Sequence, residues 1–150
     1  MLIKYVMAIG LSFALVSGVM AASTPSVSTQ TKAGNFERGV KAIETENFKK
    51  ATKLFSKVVA KEPGNADAWN YLGFSNRKLK KFDQALSAYQ KALAIDPEHR
   101  GANEYLGELY LQTGDLENAR GRLQKLDDIC TSGCAEFDDL KAAIIAYENQ

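Results

Sequence analysis

The chain has few residues with which to do chemistry. Its 150 residues include one histidine, two cysteines, one tryptophan and three prolines. The histidine, His99, stands between Glu98 and Arg100 and reads as a solvated turn residue. No serine or cysteine has an obvious base beside it, and no glycine-rich loop follows a strand to hold phosphate. The paired acids Asp127-Asp128 and Asp138-Asp139 cannot both point inward from a helix, so they read as surface charge. With no recognisable catalytic set, the expectation is a protein that is not an enzyme and takes no cofactor.

An excess of charge of one sign is missing too. There are 19 basic and 18 acidic residues. Nucleic-acid binding calls for a concentrated basic face, so it is not expected. The charge is uneven, however. Residues 32–65 hold eight basic and four acidic side chains, whereas 100–150 hold five basic and ten acidic. A basic front and an acidic rear can steer a partner or favour weak head-to-tail self-association.

The chain opens on Lys4, an apolar run over 5–19 and a small-residue end, Ala21-Ala22. A basic start, a hydrophobic middle and an alanine-rich end describe a signal peptide over 1–21, cut after Ala21 or, second choice, Ala22. The expected location is periplasmic or secreted. The alternative is an uncleaved anchor, since the run approaches the ~18 apolar residues that can span a bilayer. Membrane contact is expected only in that case. No cysteine stands at the cut for lipid attachment. Removing 1–21 takes one lysine and no acid, which leaves the rest with no net formal charge. Residues 22–31, rich in Ser and Thr and interrupted by Pro25, read as a flexible linker.

From Lys32 the chain repeats. Copies over 32–65, 66–99 and 100–133 share Gly39, Gly73 and Gly107 at offset 8 and Ala51, Ala85 and Ala119 at offset 20. Offset 17 holds Phe48, Phe82 and Leu116, offset 24 holds Phe55, Tyr89 and Leu123, and offset 27 holds Val58, Ala92 and Leu126. Small residues let two helices approach, and a large one fills the neighbouring gap. Pro63 and Pro97 stop the second helix of their copies. First helices are expected near 33–45, 66–79 and 101–113, and second helices over 48–61, 82–95 and 116–129. Asp83 and Asp115 lie close to helix starts, where a carboxylate complements free N–H groups. After Cys130 and Cys134, the residues Phe137, Leu140, Ile144 and Tyr147 form one apolar stripe, with Glu136, Asp138, Asp139 and Lys141 between them. That pattern reads as a capping helix over 135–149.

The second copy carries Trp69, Leu72, Gly73, Ala85, Tyr89, Ala92 and Pro97 at offsets 4, 7, 8, 20, 24, 27 and 32. This order resembles the tetratricopeptide repeat, a helix–turn–helix unit of about 34 residues. The resemblance implies an all-α solenoid over 32–150, with three repeats and a cap. It also implies a concave groove lined by offsets 2, 5, 9 and 12 of the first helices. Here those positions give Phe36, Val40 and Ile43, then Asp67, Asn70, Phe74 and Arg77, then Glu104, Glu108 and Leu111. Tyr71 and Tyr105, at offset 6, reach the groove edge. Phe36, Val40 and Ile43 also fit a core reading, as does Phe74.

The resemblance thus implies a protein or peptide partner. Members that clamp the carboxylate of chaperone tails share a Lys/Asn/Asn/Lys/Arg set. The matching positions here are Phe36, Val40, Tyr71, Gly101 and Tyr105, and none fits.

In an exported chain Cys130 and Cys134 are expected to form a disulfide. So small a loop adds about 2 kcal/mol in the chain-entropy model. A carrier of a soft metal ion or of thiol chemistry is the rival. Against it, no second pair, nearby histidine or methionine after residue 20 completes a shell, and redox pairs more usually read C-x-x-C. The leading expectation is an adaptor that binds in its groove. The alternatives are a self-associating structural protein and a thiol or metal carrier using Cys130 and Cys134.

Overall fold

Amphipathic stretches of 13 to 18 residues, separated by turns of three to five residues, turn each copy into a helix pair. The computed structural model describes residues 27–150, with side chains from Gly34 onward. The proposed signal peptide lies outside the described residues. Among these there are seven helices and no strand: α1 Val27–Glu44, α2 Phe48–Lys61, α3 Ala66–Lys78, α4 Phe82–Ile95, α5 Arg100–Gln112, α6 Leu116–Ile129 and α7 Ala135–Glu148. The protein is an all-α solenoid of helix pairs, as the repeats indicate. The second helices have the expected bounds. The first departs from expectation, since α1 begins at Val27. Residues 27–31, expected as part of a flexible linker, are helical because no Pro or Gly stands between Pro25 and Gly34 to interrupt them.

Local chemistry sets the helix starts. The side chains of Asn47, Asn65 and Asp115 accept hydrogen bonds from the backbone N–H groups of Lys50, Ala68 and Asn118. Asp83 lies inside the first turn of α4, whose cap, Lys81, makes no side-chain bond. His99 is not a solvated turn residue. Its Nδ1 accepts from the Ala102 N–H at 3.2 Å and its Nε2 meets Asp67 at 3.1 Å, so it caps α5 and ties it to α3. With Nδ1 accepting, the proton of a neutral ring sits on Nε2 and is donated to the Asp67 carboxylate. Equivalent positions also repeat one bond: Trp69 donates to the Pro63 carbonyl, and Asn103 donates to that of Pro97. This bond fixes α3 and α5 each against the proline turn before it.

The turn inside each pair needs a left-handed residue at offset 15. Glu46 and Lys80 supply it at φ 53° and 58°, and Gly114 at 82°. Only glycine adopts that conformation without a Cβ penalty. Lys80→Gly is therefore expected to stabilise the protein by about 1 kcal/mol in urea unfolding.

Packing follows the offset-8 glycines. A Cβ on Gly39 would stand 2.7 Å from the Phe55 ring, and one on Gly73 would stand 2.6 Å from Tyr89. In the third pair the equivalent ring is replaced by Leu123, which is only half-buried. The place over Gly107 is taken instead by Leu140 of α7. The last helix is thereby drawn tightly onto α5, with Leu140 fully buried beside Leu111, Ala119, Leu126 and Ile144.

Cys130 caps the end of α6 and Cys134 the start of α7, and a disulfide joins them with their Cα atoms 5.7 Å apart. Replacing both with serine is expected to cost about 2 kcal/mol, read as an earlier urea midpoint, with the α7 amides losing exchange protection first.

Candidate functional site

The helices α1, α3 and α5 carry the residues expected to line a groove, α7 packs beside α5, and three sections follow along them. At the α1 end, Phe36 and Val40 pack against the first core cluster. The Phe36 ring meets Phe55 and Tyr71 edge-on, with centroids 5.6 and 5.7 Å apart, and Tyr71 stacks on Phe55 at 5.2 Å. Phe36 and Tyr71, two of the expected groove residues, therefore cover the faces of Phe55 that Gly39 leaves free. Asn70, on α3, is 4% exposed, and its Oδ1 has no hydrogen-bond partner.

The middle section is aromatic and charged. Phe74 lies 5.0 Å from Tyr105 and 6.1 Å from Phe48. The Arg77 guanidinium sits 5.5 and 5.6 Å from the Phe74 and Tyr105 rings, and Lys78 lies over Phe74 from outside. Arg77 is 4% exposed and pairs with Glu108 at 2.5 Å. The buried Tyr89 hydroxyl lies beside that guanidinium, too loosely for a full hydrogen bond. Burial pushes its pKa above the usual tyrosine range, and the Arg77 cation offsets part of the rise. Tyr105 is pushed up to about 12, first by burial and then by Glu104 and Glu108.

The third section lies between α5 and α7. Glu108, Leu111, Gln112, Gly114, Ala143, Tyr147 and Gln150 line a cleft of about 620 Å³. At its upstream end stand Glu104 and, on α7, Glu136 and Asp139. Glu104 is 7% exposed and has no hydrogen-bond or ion-pair partner among the described residues. Burial first, then the charges of Glu108, Asp139 and Glu136, raise its pKa to about 8, against a smaller opposing pull from Arg77.

The sign of the resulting pH dependence is definite. The native state holds this proton up to about pH 8, while the unfolded chain releases it near the usual 4.5. Between those values ionisation favours the unfolded state. Glu104 thus allows full stability below its ordinary pKa, and stability falls as pH rises toward 8. Glu104→Gln is expected to remove that slope and to be more stable at high pH by on the order of 2–4 kcal/mol, read from urea midpoints across pH.

Gln112 on the α5 wall of this cleft, and Ala143, Tyr147 and the acids of α7 on the facing wall, are not among the groove residues the sequence pattern implies. The signal was present: Glu136, Asp139, Ala143 and Tyr147 fall at i, i+3, i+7 and i+11, a second stripe beside the apolar one. Both thiols are consumed in the disulfide. Among the described residues no group of three or more His, Cys, Asp and Glu is placed to hold a metal ion.

A family model described as tetratricopeptide repeat matches residues 66–99. Superkiller complex protein 3 of Mus musculus is 33% identical over 94 residues, covering 61% of this chain and 6% of that protein. Protein FlbA of Caulobacter vibrioides is 30% identical over 102 residues, covering 65% of this chain and 17% of its own length. The chain thus spans less than a fifth of either relative. Among solved structures, the first such domain of Spaghetti (RPAP3), bound to the HSP90 peptide SRMEEVD, superposes with a TM-score of 0.69 at 19% identity, over 79% of this chain and 94% of that one. PcrH in complex with the chaperone binding region of PopD gives 0.73 at 20% identity, over 83% and 96%. Likeness at these identities establishes the fold.

Proposed function

We propose that this chain, which carries a tetratricopeptide repeat and folds as an α-solenoid of that type, is a non-enzymatic adaptor that takes a protein or peptide partner into its groove. The observation that carries the reading is the cleft between α5 and α7, continuous through Glu108 with the Arg77, Phe74 and Tyr105 cluster. Half-buried aromatic rings beside fixed polar groups are what an extended peptide or a partner helix uses for anchorage. The two solved neighbours described above hold peptide segments of other proteins. The carboxylate-clamp set is absent here, so the HSP90 tail is not the proposed ligand. Export to the periplasm or the medium belongs to the same proposal and rests on the composition of residues 1–21.

The test avoids Tyr71, since its loss would unpack Phe55. Gln112 is exposed at the cleft wall, and Gln112→Trp fills the cleft without touching the core. A partner captured by the wild type and lost by this variant, with helicity unchanged, is the expected result. Equal capture by both would move the site elsewhere.

A second reading, self-association, is favoured by another feature. Between α6 and α7, Leu123, Phe137, Ile144 and Ile145 line a cleft of about 470 Å³, and Ile145 is 50% exposed. Salt-sensitive dimers in sizing experiments support it, and a monomer at every salt concentration removes it.

A further inference from the structure

We infer that the groove selects a partner segment carrying a lysine or arginine, seated at Glu104, Glu136 and Asp139, followed about four residues later by an apolar side chain in the α5–α7 cleft. The inference rests on the groove reading above and names the chemistry of its occupant.

The first observation is the charge balance at the upstream end of the cleft. Glu108 is neutralised by Arg77 at 2.5 Å. Glu104, Glu136 and Asp139 have no cationic partner in hydrogen-bond or ion-pair contact among the described residues. The groups facing Glu104 are Arg77 from α3, Tyr105 and Glu108 from its own helix, and Glu136 and Asp139 from α7. Carboxyl groups therefore converge on Glu104 from two helices, against one cation that is already engaged.

The second observation is independent of net charge. Two polar residues here are more than nine-tenths buried: Asn70, whose Oδ1 is a buried acceptor without a donor, and Glu104, whose carboxyl keeps some contact with solvent but has no hydrogen-bond or ion-pair partner among the described residues. They occupy the same register, offset 5, on successive first helices, and the Asn70 amide lies against α5 at Gly101, one turn before Glu104. Buried acceptors without donors are costly in isolation. An ammonium or guanidinium group brings several donors and a compensating charge, whereas a carboxylate ligand would add repulsion and no donors.

The third observation sets the length. The facing stripes run Glu104, Glu108, Leu111 and Gln112 on α5, and Glu136, Asp139, Ala143 and Tyr147 on α7. They pass from carboxylates to apolar and neutral groups in the same direction. From Glu104 to Gln112 is two helical turns, about 12 Å, the reach of about four residues of extended chain.

At neutral pH the Glu104 carboxyl still holds its proton, since its pKa is raised to about 8. A bound ammonium favours the carboxylate, so binding releases that proton to the buffer and tightens as pH rises.

The test is an NMR titration of the ¹⁵N-labelled full chain with acetyl-Lys-Ala-Ser-Ala-Leu-amide, beside analogues with norleucine or glutamate in place of the lysine. The lysine peptide is expected to shift the amide signals of Glu104, Glu108, Asp139 and Ala143. It should bind about fivefold or more tightly than the norleucine peptide, and tighter again from about pH 6.5 to about pH 8.5. In the Glu104→Gln, Asp139→Asn double variant the lysine advantage is expected to vanish while the folded spectrum persists. Equal or better binding of the norleucine or glutamate peptide overturns the inference, as do shifts elsewhere or none at millimolar peptide. Those failures leave the groove itself standing if partner capture still depends on Gln112, and loss of that dependence is what removes the groove.

Discussion

Phe55→Ala is expected to cost about 3–5 kcal/mol, a large share of the stability of a domain this size. Phe55 has no exposed surface. Its ring fills the space that Gly39 leaves on α1, stacks on Tyr71 of α3 and receives the edge of Phe36. One side chain therefore joins three helices, and none of its neighbours can close the gap. Gly39 has no side chain to move inward, and Tyr71 is held by its own helix. Phe55→Leu keeps most of the volume and is expected to lose less, about 1.5 kcal/mol. Urea unfolding followed by far-ultraviolet circular dichroism measures both. Similar midpoints for the two variants would mean that the ring is not the keystone of the first pair.

The second large effect concerns Arg77. Arg77→Ala is expected to destabilise by about 3 kcal/mol, because it removes the partner of Glu108 and leaves a gap under Phe74 and Tyr105. The Glu108 side chain is 28% exposed and recovers some hydration, which keeps the loss from being larger. Arg77→Lys is expected to recover only part, since an ammonium lacks the planar fork that lies between two rings. Replacing both partners, Arg77→Met with Glu108→Leu, is expected to be more stable than Arg77→Ala alone, because no buried charge is then left single. A double variant less stable than the single one would contradict this account of the pair. The variant also separates stability from recognition, since it removes the charges and keeps the packing of the groove's middle section.

Much of the fold was legible because its signals are local and repeated. The offset-8 glycines and the offset-20 alanines are close-approach positions, and each second helix begins and ends where the periodicity places it, with prolines closing the first two. The seventh helix was legible as a helix but not as a groove wall. Its position depends on Leu140 reaching Gly107, a contact between residues 33 apart that no periodicity announces. Its groove stripe overlaps the apolar stripe at Tyr147, so the polar half read as plain solvated surface. The same limit applies to His99. Its capping bond follows from sequence position, but the contact with Asp67, 32 residues earlier, comes from repeat stacking. The groove residues read from the family pattern show the converse problem. Offsets state which way a helix faces, and they do not tell whether a neighbour has covered that face. Phe36, Val40 and Tyr71 are half-covered by packing around Phe55, whereas Gln112 and Ala143, which no offset singled out, border open space.

The measurement that bears most directly on the adaptor account is site-specific photo-crosslinking in the producing cell. A photoreactive residue replaces Gln112 in the cleft or, separately, the exposed Lys57 on α2. The account predicts one protein partner crosslinked from Gln112 and little from Lys57. The same partner trapped from Lys57 and not from Gln112 would contradict it.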